Sequence, residues 1–282
     1  MMYIQSPLNY IGGKYKLLPQ ILPLFPRDID TFVDLFTGGC NVGVNVEASR
    51  IICNDTIPQL IEFLIACKSR SSSEMLYFID SIIEEYDLSK TNREGYLKLR
   101  EAYNNNEKYR GWSTFYALVC HAFNNKIRFN SKGEFNQPFG KDRSSFNPKL
   151  REKFTQFVDK MKALNIHFLN LDFEFIRDLN LKCNDFVYAD PPYYGTSTPY
   201  NDNGGWTEKE ENRLYEVLDD LNNRNIKFAL SNVTIHRGKE NEMLKAWSSK
   251  YNIHNLRYSY SNCNYHIKDR TSLTQEVLIT NY

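Results

Sequence analysis

The sequence predicts an α/β protein. It has a mostly parallel, seven-stranded sheet with helices on both faces and an inserted, mostly helical module. Three observations lead there. Short β-rich apolar runs alternate with helical patterns along the chain. The second and third of those runs stand more than a hundred residues apart, too far for a single crossover. Hydrophobic residues make up 41% of the 282, enough for a packed domain of ordinary size plus a smaller module.

Residues 31–36 (TFVDLF) are expected as a buried strand running into Thr37-Gly38-Gly39, and 50–55 (RIICND) as a second ending on an acidic residue. Runs 166–173 (IHFLNLDF) and 185–189 (DFVYA) make the third and fourth. Run 226–233 (IKFALSNV) is the fifth, 276–282 (EVLITNY) closes the sheet, and 251–260 supplies one more at an edge. Thr207-Glu208-Lys209-Glu210 reads as a capping box, followed by Leu214, Val217, Leu218 and Leu221 at helical spacing. Met75, Phe78, Ile79, Ile82, Ile83 and Tyr86 form another such stripe. The module is assigned to 56–165, leaving 1–55 and 166–282 as the main domain. Its first half reads as helical. Its second half, 124–140 (NNKIRFNSKGEFNQPFG), alternates around Ser131-Lys132-Gly133 and fits a β-hairpin or a long ordered loop.

No run approaches the roughly 20 apolar residues that cross a bilayer, and the N-terminus lacks the charged-then-apolar pattern of a signal peptide. The six cysteines (Cys40, Cys53, Cys67, Cys120, Cys183 and Cys263) show no CxxC spacing, and Cys263 with His266 finds no second pair. These features argue against membrane insertion, disulfides and a metal centre, and point to a cytoplasmic protein. Net charge is only +1, but 108–153 holds ten basic and three acidic residues, so that window carries +7 and the remainder −6. Such asymmetry suits a polyanion-binding face on an acidic body, and equally a solvated charged surface.

The tetrapeptide Asp190-Pro191-Pro192-Tyr193 follows the fourth strand, where ligands bind in open α/β sheets. An exocyclic amine on a nucleobase is a poor nucleophile because its lone pair is delocalised into the ring. A carboxylate and a proline-held carbonyl accepting its two N–H groups favour the tetrahedral nitrogen that can attack a methyl group. Tyr193 can stack on the base. In the segment from Phe32 to Gly43, a strand ending in Asp34 and Phe36 enters the turn Gly38-Gly39, where a ligand can approach the backbone. It matches neither GxxxxGK[ST] nor GxGxxG, so triphosphate and dinucleotide readings lose ground. Asp55 is placed to grip ribose hydroxyls, and Asp172 with Phe173 suits an adenine amino group and ring face.

With Pro7-Leu8-Asn9-Tyr10-Ile11-Gly12-Gly13-Lys14 added, the sequence resembles the Dam-like (D12 class, alpha-type) family of site-specific DNA adenine-N6 methyltransferases over nearly its whole length. Tyr10 stands where many members carry tryptophan, and Cys40 where the residue is often small. The resemblance implies a Rossmann-like S-adenosylmethionine-dependent methyltransferase sheet, with 56–165 as the DNA target-recognition domain. It places S-adenosyl-L-methionine on Tyr10, Lys14, Asp34, Phe36, Gly38, Gly39, Asp55, Asp172, Phe173 and Asp190, and chemistry on Asp190, Pro191, Pro192 and Tyr193. It also implies a DNA-reading hairpin in which Arg128 reads guanine while Phe123 and Asn124 fill the gap left by a flipped base. Lys126, Asn130, Lys132, Asn136, Lys141 and Arg143 complete the DNA contacts, with Lys132, Lys141 and Arg143 on phosphates. The implied partner is double-stranded DNA. A cognate restriction endonuclease that forms no stable complex is compatible with it, as is a monomer or weak dimer. DPPY alone also suits cytosine N4, and RNA or a protein amide is chemically open. So is a catalytically silent DNA-binding protein. The recognition sequence is open too, GATC being one candidate.

Overall fold

The computed structural model describes residues 3–10, 12–194, 206–236, 238–257 and 274–282. The expected edge run 251–260 lies partly outside these residues, and Cys263 and His266 lie wholly outside them. The strands are β1 (Ile29–Asp34), β2 (Ala48–Asn54), β3 (Ile166–Leu169), β4 (Phe186–Ala189), β5 (Lys227–His236), β6 (Lys239–Glu240), β7 (Asn252–Leu256) and β8 (Gln275–Thr280). The helices are α1 (Leu18–Ile21), α2 (Pro58–Ser69), α3 (Ser72–Glu85), α4 (Arg93–Asn105), α5 (Trp112–His121), α6 (Pro148–Ala163), α7 (Glu208–Asn223) and α8 (Glu242–Ser248). They fall into two compact units. Unit 1 comprises Met1–Tyr15, Gly38–Asn45 and Asp55–Asn170; unit 2 comprises Lys16–Thr37, Val46–Asn54 and Leu171–Tyr282. Unit 1 thus gathers 1–15 and 38–45 as well as the segment from Asp55 to Asn170.

Unit 2 is a mixed α/β unit whose strands run in the order β2-β1-β4-β5-β8-β7. The first four are mutually parallel, β8 is antiparallel to β5 and to β7, and the two-residue β6 pairs with β5. The parallel strands read as apolar runs because both faces are covered: Phe32 and Val33 of β1 and all of β4 are buried. Phe32, Phe186 and Tyr188 of these strands form one aromatic cluster with Phe25, which precedes β1, the Phe25 and Phe186 rings being 4.7 Å apart. The capping signal at Thr207 marks the start of α7, where Thr207 Oγ1 accepts from the Glu210 N–H at 3.4 Å. Leu214, Val217, Leu218 and Leu221 are all buried, and both α7 and α8 pack against β5.

The third run departs from expectation. β3 stops at Leu169, and Asp172 caps a 3-10 segment, Phe173–Asp178, by accepting the Glu174 N–H at 3.0 Å. A short polar side chain that satisfies the next turn's N–H competes with strand extension, so Phe173 opens a helical turn and Asp172 stands at its cap.

Unit 1 is built on α2, α3, α5 and α6. Asn147 caps α6 by accepting the Leu150 N–H at 3.1 Å, and Pro148 follows at the first helical position, where its missing N–H costs nothing. The α6 stripe Phe154, Phe157, Val158 and Met161 is completely buried. Of the stripe on α3, Met75 and Ile79 are buried, whereas Phe78 is 42% exposed and meets Trp112 edge-on. After α5 the chain makes two isolated antiparallel bridges, Ala122 with Phe139 and Phe129 with Phe135, in place of a regular ladder. Asn104 clamps this segment, donating to the Phe135 carbonyl at 3.1 Å and accepting the Phe135 N–H at 2.9 Å.

Phe154 lies between the rings of Phe63, Tyr116 and Phe146. Phe154→Ala is expected to destabilise the protein by about 3–5 kcal/mol, because the surrounding rings cannot collapse into the gap. Denaturant unfolding followed by circular dichroism measures it, and a loss under 1 kcal/mol would contradict this packing.

Candidate active site

In unit 1 the glycine turn is tied down by a buried carboxylate. Asp55 follows β2, is 8% exposed, and accepts the Gly38 N–H at 2.9 Å through Oδ2 and the Ile57 N–H at 3.1 Å through Oδ1. Its own backbone is fixed as well: the Asp55 N–H donates to the Leu169 carbonyl and Asn170 Nδ2 donates to the Asp55 carbonyl. Gly38 has φ +48°, and a Cβ there would stand 2.9 Å from the Tyr10 ring. The absent side chain lets that ring lie on the turn. Cys40, also at positive φ, is fully buried. Gly39 approaches Ser6, whose N–H donates to Asn41 Oδ1 at 3.0 Å. Lys14 is buried and donates to the Gly12 carbonyl at 2.8 Å. Tyr10, Gly38, Gly39 and Asp55 are therefore placed around one turn, and Lys14 folds back on Gly12. Ser6 and Asn41 belong with them, and their only sequence signal was their nearness to the two glycine motifs.

In unit 2 the carboxyl ends of β1 and β4 lie side by side. Asp34 pairs in register with Tyr188, and β1 has its parallel neighbours β2 and β4 on opposite sides. This is the point where strand order reverses, the usual ligand crevice of such sheets. Asp34 is 1% exposed. Beyond it, Phe36 meets Phe173 at 5.5 Å and Trp206 at 5.4 Å, so three aromatic rings share one patch. Thr37 Oγ1 is buried with no hydrogen-bond partner among the described residues.

Asp190, Pro191, Pro192 and Tyr193 leave the end of β4, with Pro191 buried and the others partly so. The Tyr193 hydroxyl lies 3.1 Å from Asp190 Oδ1 and 3.1 Å from Glu276 Oε1. Burial first, and then the negative charge of Asp190, Asp34 and Glu276, pushes the Tyr188 phenol well above its ordinary range; its hydroxyl meets Ser231 Oγ at 2.8 Å. Glu211 of α7 is also buried and accepts from Trp206 Nε1, from the Tyr215 hydroxyl at 2.7 Å and from Asn232 Nδ2 at 2.9 Å. Desolvation raises its carboxyl, against those three donors. Asp172 accepts from Arg213, which also pairs with Glu174 and Glu210 and sits over the Phe173 ring at 5.0 Å. Glu211, Trp206, Arg213 and Glu276 were not anticipated. For Glu211 there was a signal: it precedes Leu214 and Leu218 at helical spacing and so falls on the buried face.

The residues expected to meet DNA lie in unit 1. Phe123 is 40% exposed, and Asn124 and Asn125 adopt left-handed backbone. The Arg143 guanidinium sits 5.0 Å over the Phe123 ring and donates to Asn124 Oδ1 at 3.3 Å, while Asn9 Nδ2 donates to the Asn124 carbonyl at 2.7 Å. Arg128 is held by Asn136, its Nε donating to Oδ1 and its Nη2 to the carbonyl, both at 2.8 Å. Asn130 closes the tip by accepting the Lys132 and Glu134 N–H groups. Lys126, Lys132 and Lys141 belong to the same segment, Lys132 and Lys141 being exposed. Arg151, counted in the basic window, is instead committed to Asp80 and the Phe146 ring.

Unit 2 is thus an α/β unit with acidic groups and an aromatic patch at the switch point of a parallel sheet, and unit 1 holds a glycine turn tied by an acidic residue. The chain belongs to the family of D12 class N6 adenine-specific DNA methyltransferases, whose model matches residues 10–262. It is 48% identical over 284 residues to the type II methyltransferase M.FokI of Planomicrobium okeanokoites, covering 99% of this chain and 43% of that protein. It is 44% identical over 286 residues to the modification methylase StsI of Streptococcus sanguinis, with the same 99% and 43% coverage. The DNA adenine methylase of Escherichia coli K12 is 28% identical over 255 residues, 88% of this chain and 85% of that protein. The chain thus spans less than half the length of the first two relatives. Among the described residues no helix is long and apolar enough to cross a membrane.

Burial pushes the Asp55 carboxyl up to about 6, against the backbone N–H groups of Ile57, Gly38 and Thr56. From its ordinary 3.8 up to about 6, the folded chain holds a proton here that the unfolded chain has released. This group's contribution to stability is therefore complete at low pH and is lost as pH rises through about 6. Denaturant midpoints of wild type and Asp55→Asn, compared across that window, are expected to show a smaller fall in the variant. Parallel curves would refute the assignment.

Proposed function

We propose that this chain transfers a methyl group from S-adenosyl-L-methionine to the N6 amine of an adenine flipped out of double-stranded DNA. The observation that carries the reading is the Asp190-Pro191-Pro192-Tyr193 turn at the end of β4, beside Asp34 at the switch point of a sheet in a chain of this family.

The residues present suit the cofactor. The turn bears a buried hydroxyl at Thr37 with no hydrogen-bond partner among the described residues, and has no room for a Cβ at Gly38. The aromatic patch of Phe36 and Phe173 suits a purine face, and Asp172 suits its amino group. Tyr10, Lys14, Gly38, Gly39 and Asp55 in unit 1, and Asp34, Phe36, Asp172, Phe173 and Asp190 in unit 2, are assigned to S-adenosyl-L-methionine. When bound, it supplies a methyl group already activated by a sulfonium charge.

Asp190 accepts one N–H of the target amine and the backbone beside Pro191 accepts the other, which localises the nitrogen lone pair. Tyr193 stacks on the extruded base and Pro192 stiffens the turn. Holding the amine in line and placing charge where it develops supply the rate enhancement.

Segment 56–165 is assigned to target recognition. Phe123, exposed and braced by Arg143, is suited to fill the gap in the duplex, and Asn124 to meet the orphaned thymine, offsetting an extrusion cost of a few kcal/mol. Arg128 keeps further guanidinium donors for guanine O6 and N7 while Asn136 orients it. Lys126, Asn130, Lys132 and Lys141 are assigned to the backbone and groove beside it. The names of two relatives, a type II methyltransferase and a modification methylase, favour a modification role, with a cognate endonuclease sharing the DNA site without a stable complex. The chain is read as a monomer or weak dimer working in the cytoplasm.

Incubation with labelled S-adenosylmethionine and unmethylated genomic DNA, followed by nucleoside analysis, tests the reaction. N6-methyladenine in one sequence context is expected; N4-methylcytosine would move the substrate, and no nucleoside product would overturn the reading. Asp190→Ala is expected to abolish transfer while DNA retention in a gel-shift assay persists; turnover by that variant would refute Asp190's role. Arg128→Ala is expected to relax the preference at one G·C position by about 1–3 kcal/mol, seen in competition between single-site variants of the mapped sequence.

A further inference from the structure

Phe173 belongs to the aromatic patch through Phe36, and Asp172 immediately precedes it in the chain. One residue of α7 reaches both. Arg213 donates from Nη2 to Asp172 Oδ1 at 3.0 Å and to Glu174 Oε2 at 2.6 Å, and from Nη1 to Glu210. Its guanidinium carbon stands 5.0 Å from the centre of the Phe173 ring. Asp172 Oδ1 also accepts the Glu174 N–H at 3.0 Å. Both bonds to this carboxylate thus fall on Oδ1, and Oδ2 carries none among the described residues. A carboxylate has about four acceptor sites, so Asp172 keeps room for a further N–H.

An ion pair this near the surface adds little to stability. What the guanidinium supplies is geometry. Its planar donors hold one oxygen of Asp172 beside a backbone N–H, which fixes where the other oxygen stands. The same cation lies on the Phe173 ring and restricts its tilt. We infer that Arg213 is a positioning residue for purine specificity, fixing Asp172 Oδ1 and the Phe173 ring so that Asp172 Oδ2 receives the amine of the cofactor's adenine. The inference rests on the assignment of Asp172 and Phe173 to S-adenosyl-L-methionine. Arg213 touches no purine in this scheme; it acts through the two residues it holds. A purine with oxygen in place of the amine brings an acceptor to the carboxylate, a contact with no proton to share.

The test measures, by calorimetry without DNA, the affinities of S-adenosylhomocysteine and of S-inosylhomocysteine, which carries that oxygen. Wild type is expected to prefer the adenosyl compound by more than about tenfold, the worth of a hydrogen bond to a charged group. Asp172→Ala is expected to bring the ratio near one. Arg213→Met is expected to lower it at least about threefold, and in the Asp172→Ala background to change it by less than about twofold. Arg213→Lys keeps a positive charge among the acids and serves where Arg213→Met does not fold, as denaturant unfolding shows. Its ratio is expected to fall too, since one ammonium cannot span three carboxylates and lie on a ring. A wild-type ratio in either folded variant overturns the inference, even if both ligands bind more weakly, because a merely structural role weakens both alike. An equal fall of the ratio with and without Asp172 overturns it as well. A wild type that binds neither compound, or prefers neither, refutes the cofactor assignment and takes the inference with it. A wild type that methylates cytosine, or no DNA at all, refutes the proposed reaction instead, and the ratio still decides the role of Arg213.

Discussion

The parallel pairing of β1 with β4 is the constraint on which the rest of unit 2 depends. It sets Asp34 level with Tyr188 and aligns the two carboxyl ends, so that the Phe36-Thr37 exit from one strand and the Asp190-Pro191 exit from the other emerge together. The pairing is held from below by Phe25, Phe32 and Phe186, each at most 8% exposed. Each such ring contributes roughly 1.5–3 kcal/mol by burial alone. A shift of register by one residue would send Phe32 or Phe186 to the opposite face of the sheet, away from Phe25, and take Asp34 out of line with Tyr188 at the same time. Packing and placement of the chemistry are thus one constraint.

Carboxylates gathered at that edge are the energetic difficulty the structure has to meet. Glu211 meets it with three donors, from Trp206, Tyr215 and Asn232, and Glu276 shares the hydroxyl of Tyr193. Asp172 is treated differently. Its partner Arg213 is a bridge among three acids near the surface, where an isolated ion pair contributes only about 0–1 kcal/mol. The stacking of Arg213 on Phe173 matters more for placement, because it orients the ring beside Phe36. In unit 1 Asp55 has no cationic hydrogen-bond partner among the described residues. Backbone N–H groups hold it, and burial outweighs them in raising its carboxyl.

The basic window shows why charge counting falls short of an interface. Arg151 is spoken for by Asp80 and Phe146, and burial lowers Lys153. The cations that remain near the strained Asn124-Asn125 backbone are Lys126, Arg128, Lys132, Lys141 and Arg143. Of these, Arg128 and Arg143 are already oriented by Asn136 and by Phe123 with Asn124. A guanidinium held in advance loses less side-chain freedom on binding than one free in solvent.

Local rules carried much of the outcome. Apolar runs located β1, β2, β4, β5 and β8 to within a few residues, because a strand buried on both faces has nothing polar to confuse its pattern. The Thr207 cap and the α7 stripe were legible for the same reason, and the glycine turn and the acidic residue after β4 were readable as residue types in strand-end positions. The end of β3 was not, since a side-chain cap at Asp172 outcompeted strand extension. What the sequence determined by itself was the order of the elements and the chemistry at their ends. Only the tertiary structure decided that Glu276 of the last strand would share a hydroxyl with Tyr193, and that Gly38 would lie against Tyr10 and Asp55. Contacts between residues far apart in the chain are fixed by strand order and register, and neither property is written in any local window.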